Sequence, residues 1–587
     1  MTKLSKDKIS SYVGDAVTLS LIGEGLDRDS DIRWSSEGAV SFRRFDGVSN
    51  TVLVILGEIG VGCVSADYNG KTYKTLVEVR QMTHSASEEC ENFYFADLHN
   101  HTSTEHNHDE FMKHINEDIS DFVNYVENEG RLDLAVISDH AGVTNNYDFL
   151  RGFDLAENSD SPIIFAGAES EINFTEKDRF DIVHRYSGEI VTFASAGYGR
   201  VDTWEELEEE LSSSPAPVAI FAHPTVVGFS TNGIWNFDFS HHASPTMLNA
   251  VRGIETVNGA DREENLTHEY EYSSALDAGF RVSPVASSDS HGPVWGYEVM
   301  PSKTVIIAKE KSKEAFHDAL RQNRFYSTES GNVKLRYSVN GKTAPSDLAL
   351  TEEYKFHIEV DTFREDISTM PVRVEIISDY GKKVAESEIT EKSFDITVVS
   401  DTARYFYLRL IDAEARRTWS MPVWCGREFD KEETKKHIPI DKTSIKAFSD
   451  GLPAEKLING NPSDTFFSGK PNPRVTLDLG KDTEISAFAY YPHLIMRDSK
   501  KGETWRTSHE SRHLVSRYKL YSSLDGENYS LISEVRSKHL GDENVIDFTP
   551  RLARFVKMEI VSTVGRDSGR DDIAECDAYI GELSLFN

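Results

Sequence analysis

Cysteine is scarce in this chain, and its few copies lie far apart. The four cysteines, Cys63, Cys90, Cys425 and Cys576, show no C-x-x-C spacing, which argues against a zinc ribbon and against a disulfide framework. The 18 prolines and 37 glycines form no low-complexity tract, so long flexible linkers have little room. No apolar run approaches the length of a membrane span. These absences indicate a chain built of folded domains.

Positive charge is also in short supply. The chain carries 63 Lys and Arg against 98 Asp and Glu, a formal net charge of −35 at pH 7. Such a surface repels phosphate backbones and anionic membranes, so no nucleic-acid partner is expected. At 587 residues, 39% of them apolar, the chain is too long for one core, and three or four domains are expected.

The first 84 residues read as an all-β domain. Strand-length apolar or alternating segments occur at 16–22, 52–56 and 62–68, and Asn69-Gly70 predicts a hairpin turn into the next strand. An immunoglobulin-like β-sandwich with Trp34 in its core is the simplest interpretation. Cys63 has no partner in this segment, so no disulfide between its sheets is expected.

Residues 85–329 follow a different pattern, in which short apolar strands alternate with amphipathic helices. This alternation predicts a parallel sheet or barrel. The predicted strands lie at 93–98, 134–137, 163–166, 218–222, 253–257 and 282–286. The predicted helices lie at 119–129, 203–211, 264–278 and 313–322.

Histidines and carboxylates follow these strands where each strand ends. His99 and His101 come after the first strand, and residues two apart point to the same side, as a Zn, Mn or Fe site requires. Alone, the pair is equally well explained by a solvated, His-rich loop. The carboxyl ends of parallel strands meet at one edge, however, where ligands bind. That edge would also carry His140, Glu169, His223, Asp289 and His291, which favours the metal site.

Two further β domains are predicted beyond the alternating region. Residues 330–430 contain strand patterns at 333–339, 354–360, 372–377 and 404–411, and they read as a small β-sandwich. Residues 440–587 form a last β domain, with Arg474-Val-Thr-Leu-Asp-Leu-Gly480 and Tyr518-Lys-Leu-Tyr-Ser-Ser-Leu-Asp-Gly526 among its strands.

Five motifs of the central region, in chain order, resemble those of the PHP (polymerase and histidinol phosphatase) family. They are Asp97-Leu-His-Asn-His101, Ser138-Asp-His140, Gly167-Ala-Glu169, Ala222-His-Pro224 and Ser288-Asp-Ser-His291. The stretch from Thr304 through Tyr326 to Trp424 is similar to the carbaryl-hydrolase-like branch of that family. The resemblance covers roughly residues 90–425. It implies a distorted (β/α)7 barrel that holds two or three divalent metal ions.

The resemblance also implies which residues would hold each ion. His99, His101, Glu169 and Asp289 would hold the first ion, and Glu169 would bridge to a second ion completed by His184 and His223. His140, His291 and a histidine from the following loop would hold the third. His106 and His108 both lie near the expected place in that loop, and His108 is preferred.

Clustered divalent ions lower the pKa of a bound water toward neutrality and stabilise the charge that builds on a phosphate. Asp139 could orient a ligand or transfer a proton, and a hydrogen bond to a neighbouring imidazole is an equally good interpretation. Arg179, Arg185 and Arg262 lie near the ligand segments and could grip a phosphate bidentately. Each of these arginines could also be an ordinary solvated side chain.

The C-terminal domain resembles the discoidin or coagulation-factor 5/8 C-type β-sandwich, a carbohydrate-binding-like module. The resemblance rests on Leu477-Asp-Leu-Gly480, Ser523-Leu-Asp-Gly526 and the loop 454–465. It implies a structural calcium ion near Asn459, Asp464 and Glu582, although Asn459 replaces the usual Asp. Sugar contacts would come from loops around His493, Arg497 and Trp505.

The sequence therefore predicts a metal-dependent hydrolase. A phosphoesterase acting on a glycan-linked or small organic phosphate is the main hypothesis. The same metal site could instead cleave a carboxylic ester, carbamate or amide. A glycan-binding adhesion protein with an inactive barrel is the third hypothesis. The appended β domains favour a secreted or cell-surface protein whose export signal is not in this sequence, with the cytoplasm as the alternative.

Overall fold

The computed structural model describes most of the chain, with several gaps. The described residues are 1–102, 119–142, 144–159, 161–177, 183–193, 201, 203–214, 216–224, 243–259, 265, 268–291, 295–296, 301–427, 437–462, 464–470, 472–492, 495–498, 503–505, 513–537, 543–567 and 577–587. Among them, no helix combines the length and the apolar character that crossing a bilayer requires.

The N-terminal segment forms two four-stranded sheets that share one apolar core. The sheet orders are β1-β3-β6-β5 and β2-β8-β7-β4. Trp34 lies in that core beside residues of both sheets, such as Leu19 and Val77, and Cys63 is a free cysteine. The strands are β1 (Lys3–Leu4), β2 (Lys8–Tyr12), β3 (Ala16–Ile22), β4 (Arg33–Gly38), β5 (Ser41–Phe45), β6 (Val48–Ile55), β7 (Gly60–Tyr68) and β8 (Lys71–Arg80).

The central region is built on nine strands in the order β15-β14-β13-β12-β11-β10-β9-β16-β17. They are β9 (Asn92–Asp97), β10 (Leu134–Ile137), β11 (Ile163–Lys177), β12 (Val183–Phe193), β13 (Val218–Phe221), β14 (Val251–Asn258), β15 (Ser283–Ser287), β16 (Lys303–Ala308) and β17 (Phe325–Thr328). The described helices between them are α1 (Ile119–Asn128), α2 (Asn146–Asn158), α3 (Trp204–Ser212), α4 (Pro245–Ala250), α5 (His268–Asp277) and α6 (Lys313–Arg321).

The central sheet is mixed rather than wholly parallel. The six strands that the sequence predicts are all present, and β9, β10 and β11 are parallel neighbours, as are β13, β14 and β15. The sequence analysis missed β12, which is antiparallel to both neighbours, and the antiparallel pair β16 and β17. The sheet curves back on itself, because the Ala286 N–H of β15 donates to Thr304 Oγ1 of β16 at 2.9 Å.

The third β region continues this sheet instead of standing apart from it. Strand β17 pairs with β26 through Ser327 and Thr418–Trp419, so sheet hydrogen bonds cross the predicted boundary at 330. A separate sheet has the order β19-β18-β21-β24. The strands are β18 (Val333–Val339), β19 (Lys342–Thr343), β20 (Ser346–Asp347), β21 (Glu353–Thr362), β22 (Pro371–Ser378), β23 (Lys382–Glu388), β24 (Ser393–Val399), β25 (Tyr405–Asp412), β26 (Arg417–Trp419) and β27 (Val423–Trp424).

The C-terminal region forms its own antiparallel β domain. Its main sheet has the order β29-β28-β31-β36-β34-β35, with β37 on β31, and β32 and β33 form a separate hairpin. The elements are β28 (Lys446–Ser449), β29 (Leu452–Pro453), β30 (Phe466–Phe467), β31 (Arg474–Pro492), β32 (Ile495–Asp498), β33 (Glu503–Trp505), β34 (Val515–Ser523), β35 (Ser530–Arg536), β36 (Asn544–Thr563), α7 (Val564–Asp567) and β37 (Tyr579–Phe586).

Candidate metal centre

The segments that follow β9, β10 and β15 are joined by backbone hydrogen bonds. The N–H of His101 donates to Ser290 O at 3.1 Å, and the N–H of Asp289 donates to His99 O at 3.0 Å. The N–H of Ser138 donates to Asn100 O at 2.9 Å. These bonds fix the strand-end residues relative to one another, as expected at the carboxyl edge of parallel strands.

Seven of the predicted ligands meet at this edge in overlapping groups. The ligand atoms in each group lie within 4.8 Å of one another. The groups are His99, His101 and Asp289; His99, Glu169 and His223; His101, His140 and His291; and His140, Glu169 and Glu189. His99 and His101 are wholly buried, Glu169 and His223 are nearly so, and His140 and His291 are partly exposed.

The atoms at the centre of the cluster face one another at contact distance. His99 Nε2 lies 3.1 Å from His101 Nε2, 3.3 Å from Glu169 Oε1 and 3.4 Å from Asp289 Oδ1. His223 Nε2 lies 3.1 Å from Glu169 Oε1, and His140 Nε2 lies 2.8 Å from Glu169 Oε2. Glu169 thus stands between two sets of imidazoles, where a bridging carboxylate would be needed.

The hydrogen-bonding pattern tests whether this donor set fits a cation. His99 Nδ1 lies 3.0 Å from Glu255 Oε1. If Nδ1 carries the proton that this carboxylate accepts, Nε2 presents a lone pair to the cluster. Within the described part of the chain, Glu169 Oε2 and Asp289 Oδ1 are buried and have no hydrogen-bond partner of good geometry, although His101 Nε2 lies 3.3 Å from the first and 3.1 Å from the second. Lone pairs that converge without donors between them suit a divalent ion with nitrogen and oxygen ligands. The residues therefore fit a metal.

The electrostatics of the cluster favour positive charge at its centre. Burial opposes a charged imidazole at His99, yet the carboxylates of Asp289, Glu169 and Glu255 hold its pKa well above the usual value. Burial likewise opposes ionisation of Asp289, but His99 and His101 hold the pKa of that carboxyl well below its usual value. Burial and then the Glu169 charge raise the pKa of Glu189 to about 7.

The sequence analysis missed two carboxylates of this centre. Glu255, on β14, accepts a hydrogen bond from the His223 N–H at 2.6 Å and one from the Asn258 amide at 2.8 Å. Glu189 Oε2, on β12, lies 3.1 Å from His223 Nε2. A signal for Glu255 was available, because it is a charged residue inside the apolar run 253–257.

Asp139 acts on the backbone beside the cluster. It is buried, and its carboxylate accepts hydrogen bonds from the N–H of Thr102 and, at 2.6 Å, from Thr102 Oγ1. The carboxylate therefore holds the residue that follows His101. A role in proton transfer stays a prediction.

The remaining predicted site residues cannot be placed with their side chains. His106, His108, Arg179, Arg262 and His493 lie outside the described residues. The backbones of His184 and Arg185 lie in β12, opposite Glu176 and Thr175, and those of Arg497 and Trp505 lie in β32 and β33. The side chains of these four residues lie outside the described part, so their proposed roles stay predictions.

The residues predicted to hold calcium do not fit a cation. Glu582 is buried, and its carboxylate accepts hydrogen bonds from the Lys442 ammonium and from the Gly460 N–H, the latter at 3.1 Å. The Asn459 amide donates to Asp464 at 3.0 Å. Glu582 therefore already has a positive partner, and the other two side chains are turned to each other.

The comparisons with known proteins concern the C-terminal domain. Residues 440–576 match the family model of the F5/8 type C domain, so the chain carries a domain of this type. The match spans less than a quarter of the chain. No curated protein matches the chain.

Three solved structures from Clostridium perfringens are similar to the same part of the chain. A CBM32 module, CpGH89CBM32-5 in complex with GalNAc-β-1,3-galactose, is 21% identical, covers 26% of this chain and 100% of its own, and gives a TM-score of 0.20. The family 32 module of NanJ in complex with galactose is 18% identical, with 26% and 98% covered and a TM-score of 0.19. CBM32-3 from a family 31 glycoside hydrolase is 17% identical, with 25% and 94% covered and a TM-score of 0.20.

Proposed function

We propose that this chain is a metal-dependent hydrolase that acts on carbohydrate-linked substrates, with phosphate esters as the preferred class. The hydrolase part rests on one observation: Glu169 Oε1 and Asp289 Oδ1 both approach the buried His99 Nε2, at 3.3 Å and 3.4 Å. The carbohydrate part rests on the F5/8 type C domain at residues 440–576. The two parts are independent, and each has its own test.

The order of the strand-end ligands supports assigning the central region to the PHP family, with a distorted barrel. The first ion would be held by His99, His101, Glu169 and Asp289. The second would be held by Glu169, His223 and Glu189, with His184 as a further candidate. The third would be held by His140, His291 and either His108 or His106.

Bound divalent ions would supply a hydroxide near neutral pH and would neutralise the charge that develops on a phosphate oxygen. The chain's own residues prepare that site. Glu255 Oε1 lies 3.0 Å from His99 Nδ1 and would accept a hydrogen bond from it, which leaves the Nε2 lone pair facing the cluster. Asp139 fixes the backbone at Thr102, and the burial of His99 and His101 keeps bulk water away from their nitrogens. Arg179, Arg185 and Arg262 are the candidates for binding the phosphate.

Activity assays would separate the three hypotheses. After removal of metal by a chelator, the protein is supplied with Mn²⁺ or Zn²⁺ and assayed on aryl phosphates, aryl phosphodiesters and aryl esters. We expect phosphate turnover that depends on the added ion. Ester turnover without phosphate turnover would favour the ester, carbamate or amide hydrolase. Absence of turnover with every substrate would favour a glycan-binding protein with an inactive centre.

Replacing a central ligand tests the metal site itself. We expect His99→Ala and Asp289→Ala to lose bound metal and activity, because each removes an atom from the buried convergence point. His357→Ala is the matched control, since His357 lies on β21 and contacts Asp395 on the exposed face of another sheet. Metal content is measured by elemental analysis. Unchanged metal stoichiometry in both ligand variants would refute the assignment.

The carbohydrate part is tested by binding rather than turnover. Galactose and N-acetylgalactosamine are suitable first probes, because the similar clostridial modules are described in complex with galactose or a GalNAc-containing disaccharide. We expect saturable binding of at least one of them to the full chain. A glycan array on the full chain then extends the measurement to larger sugars.

A further inference from the structure

The metal cluster lies at the base of a hairpin that extends beyond the central sheet. Strand β11 pairs with β10 only over Ile163–Ala166, and β12 pairs with β13 only over Ile190–Phe193. Farther out, β11 and β12 pair with each other as far as Lys177 and Val183. Glu169 and Glu189 stand where the hairpin leaves the sheet. Strand β11 continues past Glu169 as far as Lys177. The hairpin therefore extends on the same side of the sheet as the cluster.

The C-terminal domain reaches this hairpin. Cα atoms of β33 (Glu503–Trp505) come within 8 Å of Cα atoms of β12 at several positions. Strands β32 and β33 belong to the connection between β31 and β34. This connection is where the sequence analysis places the sugar contacts. The strand that carries Trp505 is thus next to β12, the strand that carries Glu189.

A second contact holds the C-terminal domain on helix α5. The Arg536 guanidinium lies over the Tyr270 ring, with its central carbon 3.8 Å from the ring centroid, and donates to Tyr270 O at 2.9 Å and to Asp277 Oδ2 at 3.3 Å. The Tyr270 hydroxyl donates to Ser537 O. Arg536 is nearly fully buried. A stacked, paired and desolvated arginine of this kind is a strong and directional attachment.

Further contacts around Arg536 extend the attachment. Tyr270 packs with Leu514 and Val564 of the C-terminal domain in one buried apolar cluster. Arg517 donates to the backbone carbonyls of Tyr380 and Gly381, both at 2.9 Å. Two separate contacts, on α5 and on β12, fix the orientation of the domain. A tethered module that moves independently would not need them.

We propose that the C-terminal domain is a fixed part of the substrate-binding surface, and that it holds the carbohydrate portion of a substrate whose ester lies at the metal cluster. This inference rests on the proposed function and adds to it the place of the sugar. The substrate class that follows is a carbohydrate carrying a hydrolysable phosphate ester, rather than a free sugar bound far from the reaction.

The distance between a bound sugar and the cluster tests this inference directly. The full chain is loaded with Mn²⁺, which is paramagnetic, or with Zn²⁺, which is not, and the proton relaxation of added galactose or N-acetylgalactosamine is measured. We expect enhanced relaxation only with Mn²⁺, because the effect falls steeply with distance. Equal relaxation with the two ions for a sugar that binds, or no binding of either sugar, would overturn the proposal.

A nitroxide attached to Lys177→Cys at the end of β11 reports, without any metal, whether the sugar lies beside the β11–β12 hairpin. The unmutated chain treated with the same reagent is the control for native cysteines. If Mn²⁺ fails to bind, the proposed metal site fails, and the nitroxide still decides where the sugar lies. Relaxation that does not change with the nitroxide would then overturn the inference.

Loosening the attachment provides the final check. We expect Arg536→Ala to retain sugar binding and to lose most of the relaxation enhancement. Arg517→Ala, which removes the contacts to the Tyr380 and Gly381 carbonyls, serves if Arg536→Ala does not fold. Lys519→Ala on the same strand is the control, since Lys519 pairs with Glu534 within the C-terminal domain. Undiminished enhancement in folded variants would show that the attachment does not position the sugar.

Discussion

At the scale of single residues, Glu255 explains how two histidines of the cluster are oriented. Its Oε1 lies beside His99 Nδ1, and its Oε2 accepts hydrogen bonds from the His223 N–H and from the Asn258 amide. One carboxylate therefore fixes two candidate ligands, one through its ring and one through its backbone. Partners of this kind set the tautomer and the basicity of a metal-binding histidine.

We predict that Glu255→Gln weakens metal binding by about 10–100-fold, the usual effect of losing such a partner. The glutamine keeps the shape of the side chain but removes the charge that stabilises the His99 Nδ1–H. Competition with a metal-binding chelator measures the change. Glu209→Gln on the exposed face of α3 should leave affinity unchanged. Equal affinity in both variants would contradict the role of Glu255.

Lys442 supplies the positive charge that compensates the charge of the buried Glu582 carboxylate. We predict that added Ca²⁺ leaves the thermal unfolding of the native chain unchanged. Lys442→Met leaves the carboxylate without its positive partner and should destabilise the C-terminal domain by about 3–5 kcal/mol. Added Ca²⁺ should recover part of this loss, since a cation can then approach Glu582.

Lys456→Met is the matched control for Lys442→Met. Lys456 pairs with Asp464 in the same region, but both side chains are exposed, so the loss should stay at or below about 1 kcal/mol. Stabilisation of the native chain by Ca²⁺ would contradict the role assigned to Lys442.

At the scale of elements, helix α5 carries an unusual buried carboxyl. Glu271 is 3% exposed, and its Oε1 has no hydrogen-bond partner among the residues that the structure describes. Burial raises the pKa of Glu271 to about 8, although the Arg536 charge opposes the shift. The folded chain therefore keeps a proton that the unfolded chain, with a pKa near 4.5, releases.

The sign of the pH effect follows from this difference. The proton-linked stability is fully present below pH 4.5 and is lost as the pH rises through about 8. We predict that Glu271→Gln removes this slope, which amounts to at most about 1.4 kcal/mol per pH unit. Unfolding midpoints from pH 5 to 8, compared with Glu209→Gln, measure it. An identical slope in the native chain and in Glu271→Gln would contradict the prediction.

The elements also show what the sequence could and could not predict. The parallel strands were predictable because each is a short apolar run followed by a ligand-type residue, and this pattern brought His99, Glu169, His223 and Asp289 together. Strand β12 was missed because its polar outer half, from Val183 to Glu189, does not look like a buried strand. Glu189 lies in β12 and was therefore not predicted as a site residue.

Tertiary pairing set the other limits of prediction. The antiparallel strands β16 and β17 join the central sheet to β26 through contacts between distant parts of the chain. The Lys442–Glu582 pair likewise joins residues 140 positions apart. No local hydrophobic pattern or motif predicts which distant residues will pair. The resemblance to calcium-binding modules pointed to Glu582, but it could not reveal that the Lys442 ammonium donates a hydrogen bond to that carboxylate.

At the scale of the whole molecule, we expect the contacts of Arg536 with Tyr270 and Asp277 to make the C-terminal domain unfold together with the central region. We predict one main calorimetric transition for the native chain and two resolved transitions for Arg536→Ala. The substitution removes a buried cation from Asp277 and Tyr270, which should weaken the attachment by about 2–5 kcal/mol. Lys519→Ala should behave as the native chain does. A single unchanged transition in Arg536→Ala would contradict this coupling.

The continuous sheet from the central region into residues 330–427 has a consequence for dividing the chain. Strand β17 is hydrogen-bonded on one side to β16 and on the other to β26. A chain cut after residue 329 would leave the second side of β17 as a bare edge, open to any extended segment that can pair with it. We expect such a fragment to aggregate. The smallest useful fragment of the central region must therefore include β26, and with it the strands that hold β26 in register.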